Sequence, residues 1–329
     1  MYEKYYNLSG IPFQLTPDSR FFFGSSGHSR AIAHLVYGLA QEEGFIVVTG
    51  EVGAGKTTLV EQLWSQLDRH SYVMARVVTT RVSGDDLLRL VVANFGVSDD
   101  GGADKATLLR RFERMARDQR AAGRRCLLVV DEVQNLPMAA LEELRMLSNI
   151  TVDGRASVQT ILLGQPQFRA TLANPDLEQL RQRVLASYHL GPLTEAETRA
   201  YIEHRLKRVG WSDDPRWEDA AFTYIYRYTD GIPRRINTLC SRVLLFGAIE
   251  ESHIITGPMV ESTATELQQD LGAGLAAPQP AAVTMSLAAA CAPNNDALVR
   301  RIEALEQTSS RQDRVFRRLM DLLSAVADR

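Results

Sequence analysis

Only three cysteines occur in the 329 residues, Cys126, Cys240 and Cys291, an odd number with no CxxC spacing. That excludes a disulfide-stapled scaffold and fits reduced thiols. The six histidines are scattered, His28 and His34 sitting six apart, and no HExxH or Cys/His cluster points to a structural metal. Neither sign of charge dominates: 37 Lys and Arg stand against 40 Asp and Glu, a net charge of −3. Binding to nucleic acid or anionic lipid would therefore need a local basic patch. No uninterrupted apolar run reaches the ~18 residues of a membrane span; the most apolar late stretch, LGAGLAAPQPAAVTMSLAAACAP, is broken by prolines. The amino terminus, MYEKYYNLSGIPF, lacks the basic-then-apolar layout of a secretory signal. These absences predict a cytoplasmic chain with no transmembrane span of its own, peripheral at an inner membrane only through a partner.

What is present is an ordinary globular composition, 45% hydrophobic and 23% charged, enough for two packed domains and an appendage. An aromatic, proline-punctuated lead-in (IPFQLTPDSRFFF) precedes a helical pattern in which Ile32, Leu35, Val36 and Leu39 share a face. Four apolar runs, FIVVTG, YVMARVV, CLLVVDE and SVQTILLG, alternate with helical regions that include 84–96 and 104–121. Strands alternating with helices predict an α/β fold with a parallel sheet covered on both faces. After residue 194 come three helical segments with no convincing strand between them. The expected organisation is 1–193 α/β with its lead-in, 194–266 a helical lid, 267–295 an Ala/Gly/Pro-rich linker, and 296–329 a heptad helix. In the last, Leu298, Ile302, Leu305, Phe316, Leu319, Leu323 and Val326 alternate at four and three, with Ser309 and Gln312 at the middle core positions.

The stretch VVTGEVGAGKTTLVEQL carries the chemistry. Gly50, Glu51, Val52, Gly53, Ala54, Gly55, Lys56, Thr57 and Thr58 match GxxxxGK[ST] between a strand and a helix, the context that motif requires. Glycines let backbone N–H groups turn toward phosphates, Lys56 brings a point charge to the outer phosphates, and the Thr57 hydroxyl is placed for Mg²⁺. The following helix adds its dipole to the same anion. CLLVVDE supplies the complement: Asp131 is delivered toward the Mg²⁺ and Glu132 toward an attacking water. The implied cofactors are ATP and Mg²⁺, and the second acid favours hydrolysis over simple switching.

The order GEVGAGKTT, LLVVDEVQNL, LLGQPQF, LRQRV, LTEAETRAYIEHRL and GIPRRIN resembles the AAA+ P-loop ATPases, and within them the general secretion pathway protein A (ExeA) family with its pilus, exopolysaccharide and exosortase relatives. The lead-in resembles that family's opening, and the likeness covers roughly residues 1–262. It implies that Gln165 senses the γ-phosphate, that Arg183, with Arg181 in reserve, is an arginine finger for a neighbouring subunit, and that Arg234, or else Arg235, reports nucleotide to the lid. It also implies self-assembly into a ring of about six, since a finger acts only when the next subunit docks. Phe21, Phe22 and Phe23 fit either a wall beside the base or plain core.

Two features bear on what such a motor would pull. Arg110, Arg111, Arg114, Arg117 and Arg120 form a basic run, but Glu113 and Asp118 interrupt it, the pattern of a solvated face. The heptad tail has acids and bases on its polar side and reads as a partner-binding or self-associating helix. The expected function is an ATP-hydrolysing assembly factor for a secretion, pilus or polysaccharide-export system, engaging an envelope protein through that tail. The alternative is a DNA-binding ATPase resembling transposition regulators.

Overall fold

The structure, a computed structural model, describes residues 2–16, 18–78, 82–98 and 102–270. The linker and the heptad helix expected over 296–329 lie outside the described residues, as does part of each loop after 78 and 98.

Through the base of the molecule run α1 (Ser26–Ala40), β1 (Phe45–Gly50), α2 (Lys56–Gln66), β2 (Tyr72–Val78), α3 (Gly84–Asn94), α4 (Lys105–Ala121), β3 (Arg125–Asp131), α5 (Met138–Ser148), β4 (Val158–Gly164) and β5 (Val184–Leu190). The five strands pair in parallel in the order β2-β3-β4-β1-β5. Strands β1 and β4 are buried at every position and β3 at all but its first, which is why they read as continuous apolar runs. Alternate side chains of β1 feed two cores: Phe45 and Val47 pack with Leu87, Phe112 and Leu141, whereas Ile46 and Val48 pack with Leu35 and Leu59. Helices on both faces thus hold the sheet, and the carboxyl ends of β1, β3 and β4 share one edge, where open α/β sheets place ligands.

The fifth strand was not among the apolar runs. It is an edge strand in which Ala186 and Leu190 are buried while Leu185, Ser187 and His189 are exposed, so half its residues answer to water rather than to the core. On α1 the expected face is corrected: Val36 is 49% exposed, and the buried stripe runs through His28, Ala31, Leu35, Gly38 and Leu39. A Cβ on Gly38 would stand 2.6 Å from the Ile46 side chain. The helix therefore comes closest to the sheet along the Ala31–Gly38 line and turns Val36 outward.

The helical unit expected as a lid comprises α6 (Glu195–Lys207), α7 (Asp219–Thr229), α8 (Pro233–Ile249) and α9 (Gly257–Asp270). Helix α6 opens on a capping box between Thr194 and Glu197, which satisfies two orphan donors reciprocally. The last helix, α9, was not among the three helical segments expected, and it runs to Asp270, into the stretch expected as linker. The lid also contains a two-residue parallel pairing of Arg216–Trp217 with Ile254–Ile255, too short to show a period in sequence. The lead-in joins this unit: Tyr6, Phe13 and Phe21 are buried with Leu193, Tyr201, Ile236 and Val243. Each fully buried aromatic contributes about 1.5–3 kcal/mol, so the lead-in is a structural part of the lid.

Candidate active site

The amino end of α2 is shaped by backbone conformation, with no side-chain cap. Gly55 stands at its N-cap with φ +98°, and Gly53 has φ +83°. Turning the chain this way aims the loop's amides and the first amides of α2 at one place, where the helix dipole also favours an anion. Gly53 also admits the lid. The Arg234 N–H donates to Gly53 O at 3.2 Å, and a Cβ on Gly53 would lie 2.3 Å from Arg234 Cβ. Gly53→Ala is expected to cost about 1–2 kcal/mol from left-handed backbone alone and to lower the melting temperature by roughly 2–8 °C in calorimetry.

Lys56 is buried, and its ammonium donates to Gly50 O at 2.7 Å and Glu51 O at 3.0 Å. Burial, partly offset by Glu132, Asp131 and Glu51, pulls its pKa below the ordinary lysine value. Strand β3, next but one to β1, carries the acids to the same edge. Thr57 donates its hydroxyl to Asp131 Oδ2 at 2.8 Å, tying loop and acid across 74 positions of sequence. Glu132 leaves the strand in left-handed backbone (φ 53°, ψ 39°), a conformation uncommon outside glycine and concentrated at functional sites. Its carboxylate is clamped: Gln134 Nε2 donates to Oε2 at 2.5 Å and Gln165 Nε2 to the same oxygen at 3.2 Å. The Gln165 N–H donates in turn to Gln134 Oε1 at 2.9 Å. Two carboxamides thus fix the orientation of one acid and leave Oε1 to accept from water.

A cleft of about 370 Å³ opens over the loop, within the size range of small-ligand sites. It is lined by Gly53 to Thr58 and Glu132, by Leu15, Phe21, Phe22 and Phe23 of the lead-in, and by Tyr201, Arg205 and Asn237 of the lid. The three phenylalanines are therefore both core and wall: Phe21 is buried, Phe22 meets His28 edge-on and Phe23 meets Tyr201 edge-on.

Several residues here escaped sequence reasoning. Gln134 stands in the LLVVDEVQNL motif as the last residue of a DExQ pattern, but no role is expected of it. His28 is buried with Nδ1 2.7 Å from Ser25 Oγ, and its Nε2 would be 3.0 Å from a Cβ on Gly55; burial lowers its pKa. Arg76 of β2 donates to Asp131 Oδ2 at 3.1 Å and to Glu61 at 3.3 Å. Its position two residues from the end of a neighbouring parallel strand, in register with Val129, brings it there.

The AAA domain family model matches residues 39–172, a segment that contains the loop, both acids and Gln165. General secretion pathway protein A of Aeromonas hydrophila is 35% identical over 267 residues, 81% of this chain. The chain carries an AAA domain and is related to general secretion pathway protein A. It spans about half the length of that relative, 48%. The fold is that of the Pyrobaculum aerophilum Cdc6p crystal structure, with a TM-score of 0.60 at 15% identity over 80% of this chain and 70% of that one. The ADP form of Aeropyrum pernix ORC2 gives 0.57 at 17% identity over 80% and 72%. The Thermotoga maritima RuvB branch-migration motor gives 0.51 at 19% identity over 75% and 70%.

The expected site residues separate into two places. Lys56, Thr57, Thr58, Glu132 and Arg234 line the cleft, with Asp131 bonded to Thr57 and Gln165 to Glu132. Of the paired lid arginines, Arg234 lines the cleft, while the Arg235 guanidinium is held by Asp230 at 2.8 Å. Arg181 and Arg183 lie away from it. Arg183 O accepts from the N–H of Phe45, the first residue of β1, so this arginine sits at the opposite end of the parallel sheet. The Arg183 side chain donates to Ser148 O at 3.2 Å and Ser148 Oγ at 3.1 Å. Arg181, 47% exposed at its side chain, is the freer of the two. Of the arginines of α4, Arg117 donates to Glu113, Arg110 to Thr107, Arg111 to Ser98 O and Arg120 to Ala156 O, while Arg114 is exposed. Among the described residues no helix is long and apolar enough to cross a membrane.

Proposed function

We propose that the chain binds ATP with Mg²⁺ in the cleft between loop and lid and hydrolyses it, working as an oligomer that drives a secretion-type envelope system. The observation that carries the hydrolytic reading is the clamped Glu132 carboxylate beside the loop. In this reading the amides after Gly53 and the Lys56 ammonium bind the outer phosphates. Glu132 orients the attacking water and takes its proton at Oε1, while Gln165 holds the acid and meets the terminal phosphate. The donor set suits the metal: the Thr57 hydroxyl and the Asp131 carboxylate are hard oxygen donors 2.8 Å apart, and one carboxylate rather than a cage matches an ion that keeps waters and shares phosphate ligands. Bound there, Mg²⁺ would offset the charge that develops on the transferring phosphoryl group.

Arg234 is the lid's reporter of nucleotide. Arg234→Ala is expected to raise the Kd for ATP about tenfold, whereas Arg235→Ala, whose guanidinium is already spent on Asp230, leaves it within about twofold. Calorimetric titration of both variants checks this. Arg181 and Arg183, at the far end of the sheet, supply the finger to a neighbour in a ring of about six. The envelope role is supported by the name of the relative, and the partner contact is assigned to the heptad tail.

Steady-state phosphate release across a protein concentration series, with and without duplex DNA, tests the assembly reading. Turnover per chain that climbs with concentration and ignores DNA supports a self-assembling envelope ATPase. Constant turnover from a monomer sinks the ring. Strong stimulation by DNA that fades with salt replaces the envelope reading with assembly on duplex DNA.

A further inference from the structure

Arg205 of α6 is a buried cation, 7% exposed, with no carboxylate partner among the described residues. Removing a guanidinium from water is costly unless its donors and charge are met. Here they are met by the lead-in and by two rings. Nε donates to Pro12 O at 2.5 Å, Nη2 to Gln14 O at 3.4 Å and Nη1 to Tyr201 Oη at 2.8 Å. The guanidinium carbon stands 4.7 Å over the Phe21 ring and 5.6 Å from the Tyr201 ring centre, distances at which a ring quadrupole stabilises a cation. Tyr201 passes the chain on by donating to Asn237 Oδ1 at 2.9 Å. Gln14, Phe21, Tyr201, Arg205 and Asn237 all line the cleft that Lys56 also lines.

An aliphatic side chain would fill the same volume at lower cost, so core packing alone does not account for a charge at this position. The guanidinium does what an aliphatic group cannot: it grips two backbone carbonyls of a segment without regular structure and fixes that segment against the lid. We infer that Arg205 is a positioning residue that staples the lead-in across the cleft as the wall that meets the nucleobase. Selection for the base end of the nucleotide is then made by lead-in and lid together, and the loop around Lys56 reads only phosphates. This rests on the ATP-binding reading above and adds to it a division of the cleft.

The test compares ATP with tripolyphosphate, which has the phosphates and no base, by calorimetric titration of the parent and Arg205→Met. The variant is expected to bind ATP about ten- to thirtyfold more weakly and tripolyphosphate within about twofold of the parent. Equal losses for both ligands, or no loss for either, would overturn the inference and leave the ATP reading intact. A parent that binds neither ligand would overturn the ATP reading itself. Should Arg205→Met fail to fold, Tyr201→Phe keeps the ring and removes the hydroxyl between Arg205 and Asn237. It is expected to show the same split at about threefold, and equal affinity for ATP and for tripolyphosphate relative to the parent would count against the staple.

Discussion

Glu132→Gln is expected to keep ATP in the cleft and stop its breakdown, with kcat falling about 10²–10⁴-fold, the contribution of a positioned general base. The substitution is nearly isosteric and removes basicity from one atom. Gln134 and Gln165 both donate to Oε2, and the new carboxamide can present its oxygen to them, so the side chain keeps its place. Binding relies on other groups, chiefly the loop amides and Lys56. The Kd for ATP should therefore stay within about threefold, as for a group whose interaction matters only in the transition state. A matched pair of measurements, ATP binding and phosphate release, separates the two effects. Loss of binding together with turnover would mean that Glu132 holds the loop rather than the water.

Lys56→Ala acts on the other half of the division. The Lys56 ammonium is the loop's own charge, buried and folded onto Gly50 O and Glu51 O, and it faces Asp131 and Glu132 through space. Without it the cleft presents two acids to a polyanion with no loop cation between them. ATP affinity should drop about a hundredfold or more, and tripolyphosphate should fall in step because the lost contact is to phosphate. That equal loss is the reverse of the split expected at Arg205, so the two variants calibrate each other.

The halves of the site differ in how much of them sequence could show, for physical reasons. The loop and the acid pair are legible because each is a local solution: glycines where φ must be positive, and an acid at the end of a strand buried on both faces. The buried strands β1, β3 and β4 are legible as unbroken apolar runs, whereas β5 at the edge alternates Ala186 and Leu190 with exposed polar residues and blends into its flanks. Arg76 reaches Asp131 only when β2 lies beside β3, and Gln134 meets Gln165 only when β3 lies beside β4, which no spacing records, although the bond from Gln134 to Glu132 is local. The least legible element is the lead-in. Its aromatics announce burial, but that they bury in the lid, across nearly 200 positions as in the bond from Arg205 to Pro12 O, follows from tertiary packing alone. Val36 marks a smaller case: a helical period leaves the centre of the buried stripe open by a residue, and the close seat of Gly38 on Ile46 decides it.

The most direct test of the account is steady-state phosphate release from ATP in excess Mg²⁺ by the parent chain, with Lys56→Ala and Glu132→Gln run beside it. Saturable turnover is expected in the parent and none above background in either variant, with bound ATP retained by Glu132→Gln and lost from Lys56→Ala. A parent that binds one ATP per chain yet releases phosphate no faster than Glu132→Gln would contradict the account, leaving a cleft that holds nucleotide without cutting it.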